Sequence, residues 1–222
     1  MKILAHRGNF EGSPGEENSL ERLWAAIKKG WGVEVDLRWK GQSPYISHDP
    51  LEDIQGKAAE PILEALANRC RQPLAINIKE FGYWRETIAL LESFHLLDRA
   101  FLFDMELVED SFGVSARTLR KLSDKIHLAA RVSDRNEPVQ RALSLDFCRL
   151  IWLDEFDSFW ADEFTITKLQ NANRKIFAVS GEIHGFDQAE VVRRWKQFLE
   201  WRVDGICSDW CVLLQKMLEN ES

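Results

Sequence analysis

Short runs of apolar residues recur along the chain, and each is followed by a longer stretch in which apolar residues repeat with helical spacing. This alternation predicts repeated strand-helix units. Most of the short runs are continuous, as expected for parallel strands that are buried on both faces. The eight predicted strands are Lys2–His6, Gly32–Asp36, Leu74–Lys79, Ala100–Asp104, His127–Arg131, Arg149–Leu153, Lys175–Ser180 and Asp204–Ser208.

Helices are predicted between these strands, and two of them have clear start signals. The polar pair Asn18-Ser19 precedes the first helix, and Asp187 with Glu190 resembles a capping box at the start of the seventh. Apolar positions in the first helix follow the i, i+3, i+4, i+7 rule, at Leu20, Leu23, Trp24 and Ile27. Similar apolar stripes predict a third helix near Tyr83–His95 and a last one near Trp210–Leu218.

The organisation of the chain favours one domain spanning residues 1–222, because no linker or low-complexity tract divides it. Eight strand-helix units in 222 residues fit an α/β protein of the compact (β/α)8 or TIM barrel type. The alternative is a doubly wound open sheet, although no G-x-G-x-x-G motif follows the first strand. In a barrel, functional side chains project from the carboxyl ends of the strands. The residues that follow each strand are therefore the candidates for chemistry.

The composition is that of a water-soluble globular protein. Hydrophobic residues make up 45% and charged residues 29%, and no apolar run has the length of a membrane span. The first residues, Met1–His6, lack the long apolar stretch of a secretory signal, so we expect a cytoplasmic protein. The four cysteines fit neither a disulfide framework nor a zinc site and are predicted to be buried thiols: Cys70, Cys148, Cys207 and Cys211.

The net charge of −7 argues against nucleic acid as a partner, because no basic cluster offsets it. A small phosphate-bearing substrate would have to be bound by local cations.

Two carboxylates lie two residues apart in the second predicted strand. Side chains at this spacing point to the same face, so Glu34 and Asp36 are aimed together. Paired oxygen ligands suit Mg²⁺ or Ca²⁺. A solvated acidic pair is the alternative, but Val33 and Val35 on the opposite face indicate a buried strand, which favours a metal site.

Two histidines accompany this pair. His6 ends the first strand, and His48 lies in the loop Tyr45–Pro50. Cleavage of a phosphodiester needs one group to activate the nucleophile and another to protonate the leaving oxygen, and histidines can share that work near neutral pH. An isolated histidine is more often structural, and neither His95 nor His127 has a comparable setting.

Together these motifs resemble those of the glycerophosphodiester phosphodiesterase family, in the same order along the whole chain and most densely in residues 1–50. They are His6-Arg7-Gly8, Glu17-Asn18, Glu34-x-Asp36, His48-Asp49 and Asp204-Gly205-Ile206-Cys207-Ser208-Asp209. The resemblance implies a (β/α)8 barrel that hydrolyses glycerophosphodiesters with a divalent cation. It also implies roles: an acid-base pair, His6 and His48; metal ligands, Glu34 and Asp36; and phosphate-binding cations, Arg7 and Lys79.

The chain departs from the family pattern at the third predicted strand. The family has a glutamate there as a metal ligand, whereas this chain has Asn77, an uncharged oxygen donor expected to weaken metal binding. Glu182, after the seventh predicted strand, is a hypothetical substitute for the missing carboxylate. A structural role or a role in binding a substrate hydroxyl is the alternative for Glu182.

Further polar residues follow other strands and could contact a glycerol or sugar group. Solvated loop charge is the alternative explanation for each of these residues, and it is favoured for Glu155. The residues are Asp104, Arg131, Asp154 and Glu155.

Three functions remain open from the sequence. The first is metal-dependent hydrolysis of a glycerophosphodiester or a related polyol or sugar phosphodiester. The second is a binding protein that retains the phosphate contacts of Arg7 and Lys79 without turnover. The third is a lyase-type phosphodiesterase that forms a cyclic phosphate, as in the related sphingomyelinase D enzymes. Hydrolysis is favoured over the binding protein, because both histidines are present beside the acidic pair.

Overall fold

Eight parallel strands close into a barrel, and a ninth strand lies outside it. The computed structural model describes residues 1–12, 15–55 and 57–221. Its strands are β1 Lys2–Ala5, β2 Gly32–Lys40, β3 Ser43–Ile46, β4 Leu74–Ile78, β5 Ala100–Phe103, β6 His127–Val132, β7 Leu150–Leu153, β8 Lys175–Val179 and β9 Gly205–Ser208.

Parallel pairing runs from β1 through β9, β8, β7, β6, β5 and β4 to β2. The pairing of β1 with β2, in which Leu4 lies opposite Gly32, closes the barrel. All eight predicted strands are present, and the predicted (β/α)8 barrel is confirmed. The additional strand β3, which was not predicted, forms an antiparallel hairpin with β2.

Helices alternate with the barrel strands and cover their outer faces. The predicted helix starts are confirmed: the Ser19 side chain accepts a hydrogen bond from the Arg22 N–H, and Asp187 accepts from the N–H groups of Ala189 and Glu190. The helices are α1 Leu20–Lys28, α2 Ala59–Arg69, α3 Trp84–Ser93, α4 Val114–Leu122, α5 Val139–Ser144, α6 Glu163–Asn171, α7 Gln188–Glu200 and α8 Cys211–Asn220.

The core has two parts because each barrel strand is buried on both faces. On β5, Phe101 and Phe103 point into the barrel, whereas Ala100 and Leu102 pack against the helices. Trp152 is also inside the barrel. This burial explains why the strands have continuous apolar sequences.

All four cysteines are buried free thiols, as predicted: Cys70, Cys148, Cys207 and Cys211. Within the described ranges, no helix combines the length and apolar character that crossing a bilayer requires.

Candidate active site

A sharp turn after β1 carries His6 and Arg7. Arg7 adopts a left-handed conformation with φ 52°, and Gly8 follows with φ 76°. A Cβ atom on Gly8 would lie 2.8 Å from the backbone nitrogen of Leu23, so α1 packs too closely for any other residue. The turn brings the Arg7 N–H to 3.0 Å from Glu34 Oε2 on the neighbouring strand β2.

Asp36 is fully buried and is surrounded by positive charge and amide groups. Arg7 Nε and Lys79 Nζ each lie 3.0 Å from one of its carboxylate oxygens. These two contacts are ion pairs without the alignment of hydrogen bonds, since neither Arg7 Nε nor Asp36 Oδ1 has a hydrogen-bond partner within residues 1–12, 15–55 and 57–221. Asn18 Nδ2 donates to Asp36 Oδ2 at 2.9 Å. The site therefore holds Asp36 as a carboxylate.

The pKa values of the two acidic residues move in opposite directions. Burial raises the pKa of Glu34 to about 7, and the negative charge of Asp36 adds to this effect. Burial acts in the same direction on Asp36, but the charges of Lys79 and Arg7 outweigh it and lower the pKa of Asp36. Glu34 is therefore the carboxyl group whose charge is most sensitive to a cation or proton in the cavity.

The two histidines also differ in environment. His6 is largely enclosed, and its Nδ1 lies 3.0 Å from Asp209 Oδ1. Burial opposes charge on His6, but the hydrogen bond to Asp209 and the charge of Glu34 give a net rise in its pKa above 6.5. Burial and the charges of Arg7 and Lys79 lower the pKa of His48. Opposite shifts of this kind prepare one group as an acid and the other as a base.

His48 lies in the loop after β3, and Arg38 and Asp49 hold it there. Arg38 donates from Nε and Nη2 to the carbonyl oxygen of His48, at 2.9 and 2.7 Å. Glu80 is ion-paired with Arg38 and accepts the Trp39 N–H at 3.0 Å. The His48 ring contacts Asp49 through Nδ1 at 2.8 Å.

One cavity of about 270 Å³ at the carboxyl ends of the strands joins these groups. Sequence-predicted residues that line it are His6, Arg7, Glu34, His48, Asn77, Lys79, Asp104, Arg131 and Asp154. Asp36 lies beneath the cavity, where it contacts Arg7 and Lys79. The structure thus brings the two histidines, the two cations and the acidic pair together.

Glu182 is placed differently from the sequence expectation. Its Oε1 accepts hydrogen bonds from Ser208 Oγ at 2.5 Å and from the Asp209 N–H at 2.9 Å. Its Oε2 accepts from Ser180 Oγ. With both oxygens engaged, Glu182 does not line the cavity. It holds the segment that carries Asp209, the partner of His6, and the geometry gives no support to its hypothetical part in metal binding.

The far side of the cavity contains a buried ionic network that sequence reasoning only partly identified. Arg131 is ion-paired with Asp104, and its Nη2 lies 2.5 Å from Asp154 Oδ2. His184 Nε2 lies 2.5 Å from Asp154 Oδ1. These groups are buried or half-buried, so they are not solvated loop charges. No prediction was made for His184, although its position after a barrel strand is a signal in the sequence.

Glu155 also differs from the solvated charge that was favoured for it. It is buried, and Arg194 binds it with Nε 2.8 Å from Oε2. Glu155 does not line the cavity, so its place is structural.

Three oxygen donors of the kind that bind Mg²⁺ or Ca²⁺ lie at or beneath the cavity. Within the described residues, no three His, Cys, Asp or Glu side chains form a metal-binding group. Glu34 and Asp36 supply two carboxylates, and the third oxygen is the amide of Asn77. Among the described residues, its Oδ1 is buried without a hydrogen-bond partner and is thus a free oxygen donor.

Comparisons with known proteins identify solved structures that have a similar fold. No protein-family model and no curated protein matches the chain. A Silicibacter pomeroyi protein assigned as a glycerophosphoryl diester phosphodiesterase has a TM-score of 0.76 and 12% identity, covering 100% of this chain and 94% of its own.

Two further solved structures are similar. A glycerophosphoryl diester phosphodiesterase from Parabacteroides distasonis has a TM-score of 0.72 and 16% identity, over 99% of this chain and 86% of its own. An Oleispira antarctica phosphodiesterase, solved with its product sn-glycerol-3-phosphate, has a TM-score of 0.69 and 19% identity, over 99% of this chain and 97% of its own. At such identities the likeness shows the fold.

Proposed function

We propose that this protein hydrolyses a phosphodiester, either a glycerophosphodiester or a related polyol or sugar phosphodiester. The observation that carries the proposal is a single cavity at the carboxyl ends of the barrel strands. It combines His6 and His48, whose pKa values shift in opposite directions, with the cations Arg7 and Lys79. The phosphodiesterases among the structural neighbours support the same reaction class.

Arg7 and Lys79 bind the phosphate in this proposal. Both line the cavity and balance the buried charge of Asp36, so an entering phosphodiester meets two cations that are already held in position. The proposed metal ligands are Glu34, Asp36 and Asn77. A bound Mg²⁺ or Ca²⁺ would offset negative charge on the phosphoryl oxygens.

His6 and His48 divide the proton transfers. His6, whose pKa is raised by Asp209 and Glu34, carries the proton that the leaving oxygen needs. His48, whose pKa is lowered, is neutral near pH 7 and takes the proton from the attacking water.

The test is product release from a panel of glycerophosphodiesters by the purified chain with Mg²⁺ or Ca²⁺. The His6→Ala and His48→Ala variants should each lose at least ~10²-fold in kcat. The control is His127→Gln, an exposed histidine at the opposite end of the barrel, which should retain the wild-type rate. Unchanged turnover in either alanine variant would exclude the proposed acid-base pair.

A second candidate is a binding protein for glycerol or sugar phosphates. It is favoured by Asn77, which brings no charge to the metal site, and by Asp36, whose charge Arg7 and Lys79 already balance. Tight binding of glycerol 3-phosphate without turnover of any diester would support it. A cyclic phosphate among the products would instead indicate the lyase-type reaction.

A further inference from the structure

A second cavity, the basal cavity, lies at the end of the barrel where the strands begin. Its volume is about 680 Å³, within the ~300–1,000 Å³ range of small-molecule sites. The lining includes residues just before or at the starts of β5 to β9, among them Arg149, Lys175 and Arg202. The barrel core separates the basal cavity from the candidate active site, whose residues follow the other strand ends.

The lining of the basal cavity is positively charged, although the chain as a whole is negatively charged. The whole sequence has 29 Lys and Arg residues against 36 Asp and Glu residues. The lining has two aspartates, and one of them, Asp204, accepts the Ile176 N–H at 2.8 Å. Against these stand five cations: Arg99, Arg149, Arg174, Lys175 and Arg202. Positive charge is therefore concentrated around one cavity of an acidic protein. Such a concentration favours the binding of an anionic ligand.

Three of these cations are available to a ligand. The side chains of Arg149, Lys175 and Arg202 are exposed and form no hydrogen bond or ion pair with any residue that the structure describes. Arg174 is buried and donates to backbone carbonyl groups, including that of Asp146 at 2.9 Å. Its Nε is buried without a hydrogen-bond partner among the residues that the structure describes. The rim of the basal cavity therefore has three cationic side chains that are free to contact a ligand.

The backbone beneath Arg202 is held in an unfavourable conformation. Arg202 has φ 58°, in the left-handed region that glycine and asparagine adopt more readily. Gln170 Nε2 fixes this turn by donating to the carbonyl oxygens of Trp201 at 2.9 Å and Arg202 at 3.3 Å. Arg202 directly follows the end of α7, where a left-handed residue is common, and this turn fixes the position of the arginine at the rim of the cavity.

The three free cations are arranged along neighbouring strands. Arg149 precedes β7, Lys175 begins β8 and Arg202 precedes β9, and these strands are paired in that order. Adjacent strands are ~4.8 Å apart, so the three strands span about 10 Å. Long cationic side chains at this spacing can contact one short chain of linked phosphate groups together.

The floor of the basal cavity is apolar. Phe101 and Phe177 both line it, with ring centroids 5.2 Å apart. Gly205 allows the Phe177 ring to pack in this position, since a Cβ atom on residue 205 would lie 2.6 Å from the ring. A ligand that carries an apolar or flat organic group beside its phosphates can therefore contact the floor and the cations together.

We propose that the basal cavity binds a small organic di- or triphosphate. Arg149, Lys175 and Arg202 contact the phosphates, and the organic group lies towards Phe101 and Phe177. This proposal is independent of the proposed hydrolysis at the other end of the barrel.

The test is titration calorimetry of the full chain in metal-free buffer, with ATP, inorganic tripolyphosphate and adenosine as probes. ATP should bind more tightly than tripolyphosphate, and adenosine should show no binding. The ATP affinity should fall as salt is added, because the contacts are ionic. Absence of ATP binding would overturn the proposal, and equal affinities for ATP and tripolyphosphate would overturn the part given to the apolar floor.

Substitutions test whether ATP binds in the basal cavity. The triple variant Arg149→Gln, Lys175→Gln and Arg202→Gln should weaken ATP binding at least about tenfold, since three charge-assisted contacts are lost. The matched control makes the same charge change at exposed positions outside the cavity: Lys29→Gln, Arg85→Gln and Lys121→Gln.

The control should keep the wild-type affinity, as should Arg7→Gln in the candidate active site. Circular dichroism verifies that each variant is folded. Wild-type ATP affinity in the folded basal triple variant, or loss of binding in Arg7→Gln, would place the nucleotide elsewhere and overturn the proposal.

Discussion

Asn77 lies beside Asp36 on the neighbouring strand and brings an uncharged oxygen to the acidic pair. Asp36 contacts Arg7, Lys79 and Asn18, and Glu34 accepts the Arg7 N–H. The amide oxygen of Asn77 is buried without a hydrogen-bond partner among the residues that the structure describes. In the proposed metal site, residue 77 is therefore the ligand at which a substitution adds negative charge.

Asn77→Glu should strengthen metal binding. A third carboxylate beside Glu34 and Asp36 adds negative charge to the oxygen donors, so we expect the Ca²⁺ affinity in titration calorimetry to rise about tenfold or more. Asn77→Gln, which keeps a neutral amide, is the control and should show no such gain. Equal Ca²⁺ affinities in wild type and Asn77→Glu would remove residue 77 from the metal site.

Gly8→Ala should destabilise the fold and disturb the active-site turn. The left-handed backbone and the short approach to Leu23 both oppose a side chain, for a combined loss of about 2–4 kcal/mol in the free energy of unfolding. Gly30 provides the control: its φ is 85°, but a Cβ atom there meets no atom within 4 Å. In urea unfolding, Gly30→Ala should lose only about 1 kcal/mol. Equal losses would show that the contact with α1 is unimportant.

Outside the barrel, the hairpin of β2 and β3 is the element that positions a residue of the candidate active site. β2 extends to Lys40, four residues past the predicted strand end, and this extension carries Arg38. Arg38 joins the hairpin to the loop of His48 through the His48 carbonyl oxygen, and Glu80 anchors Arg38. The hairpin thereby sets the position of the proposed base relative to the barrel.

Arg38→Met should lower kcat about ten- to a hundredfold and leave KM nearly unchanged. Methionine keeps the apolar length of the side chain but loses both donors to His48, so the histidine is no longer held in place. Steady-state kinetics on a glycerophosphodiester measures this split. The control is Arg85→Met, an exposed arginine on α3. A change in KM alone would mean that Arg38 acts on substrate binding and not on His48.

Strands and helices can be predicted from the sequence where their buried positions form a clear pattern of apolar residues. The barrel strands are found because both of their faces are apolar, and Ser19 and Asp187 give the starts of α1 and α7. β3 is missed because its four residues, Ser43–Ile46, contain a proline and show no clear alternation. The direction of Glu182 is missed because it depends on hydrogen bonds to its carboxylate from Ser180, in the turn after β8, and from Ser208, at the end of β9.

Taken as a whole, the barrel places two polar cavities at its opposite ends around one apolar interior. The positions after the strands were predictable, since parallel strands present their carboxyl ends together. Which groups contact one another there was not: the pairing of His6 with Asp209 and of Arg131 with Asp154 links segments far apart in sequence. Such contacts depend on loop conformations that leave no periodic signal.

The stability of the whole molecule should depend on the protonation of Glu106. Burial raises the pKa of Glu106 to about 7, while the unfolded chain has the ordinary value of 4.5. Between these values the unfolded chain releases a proton that the folded protein keeps, so folding loses stability as pH rises from about 4.5 to 7.

Glu106→Gln removes this loss, and the amide still accepts the Arg131 N–H. Urea unfolding at pH 8 should show the variant more stable by about 2–3 kcal/mol, and at pH 5 nearly equal to wild type. A constant difference at both pH values would show that Glu106 titrates normally in the folded protein.

The pH dependence of kcat/KM for glycerophosphodiester hydrolysis tests whether His6 and His48 act as the acid and the base. Activity requires neutral His48 and protonated His6, so it should fall below the lowered pKa of His48 and above the raised pKa of His6. We expect a bell-shaped profile whose maximum includes pH 6.5. No product at any pH, or a rate that stays constant through this range, would contradict the proposed hydrolysis.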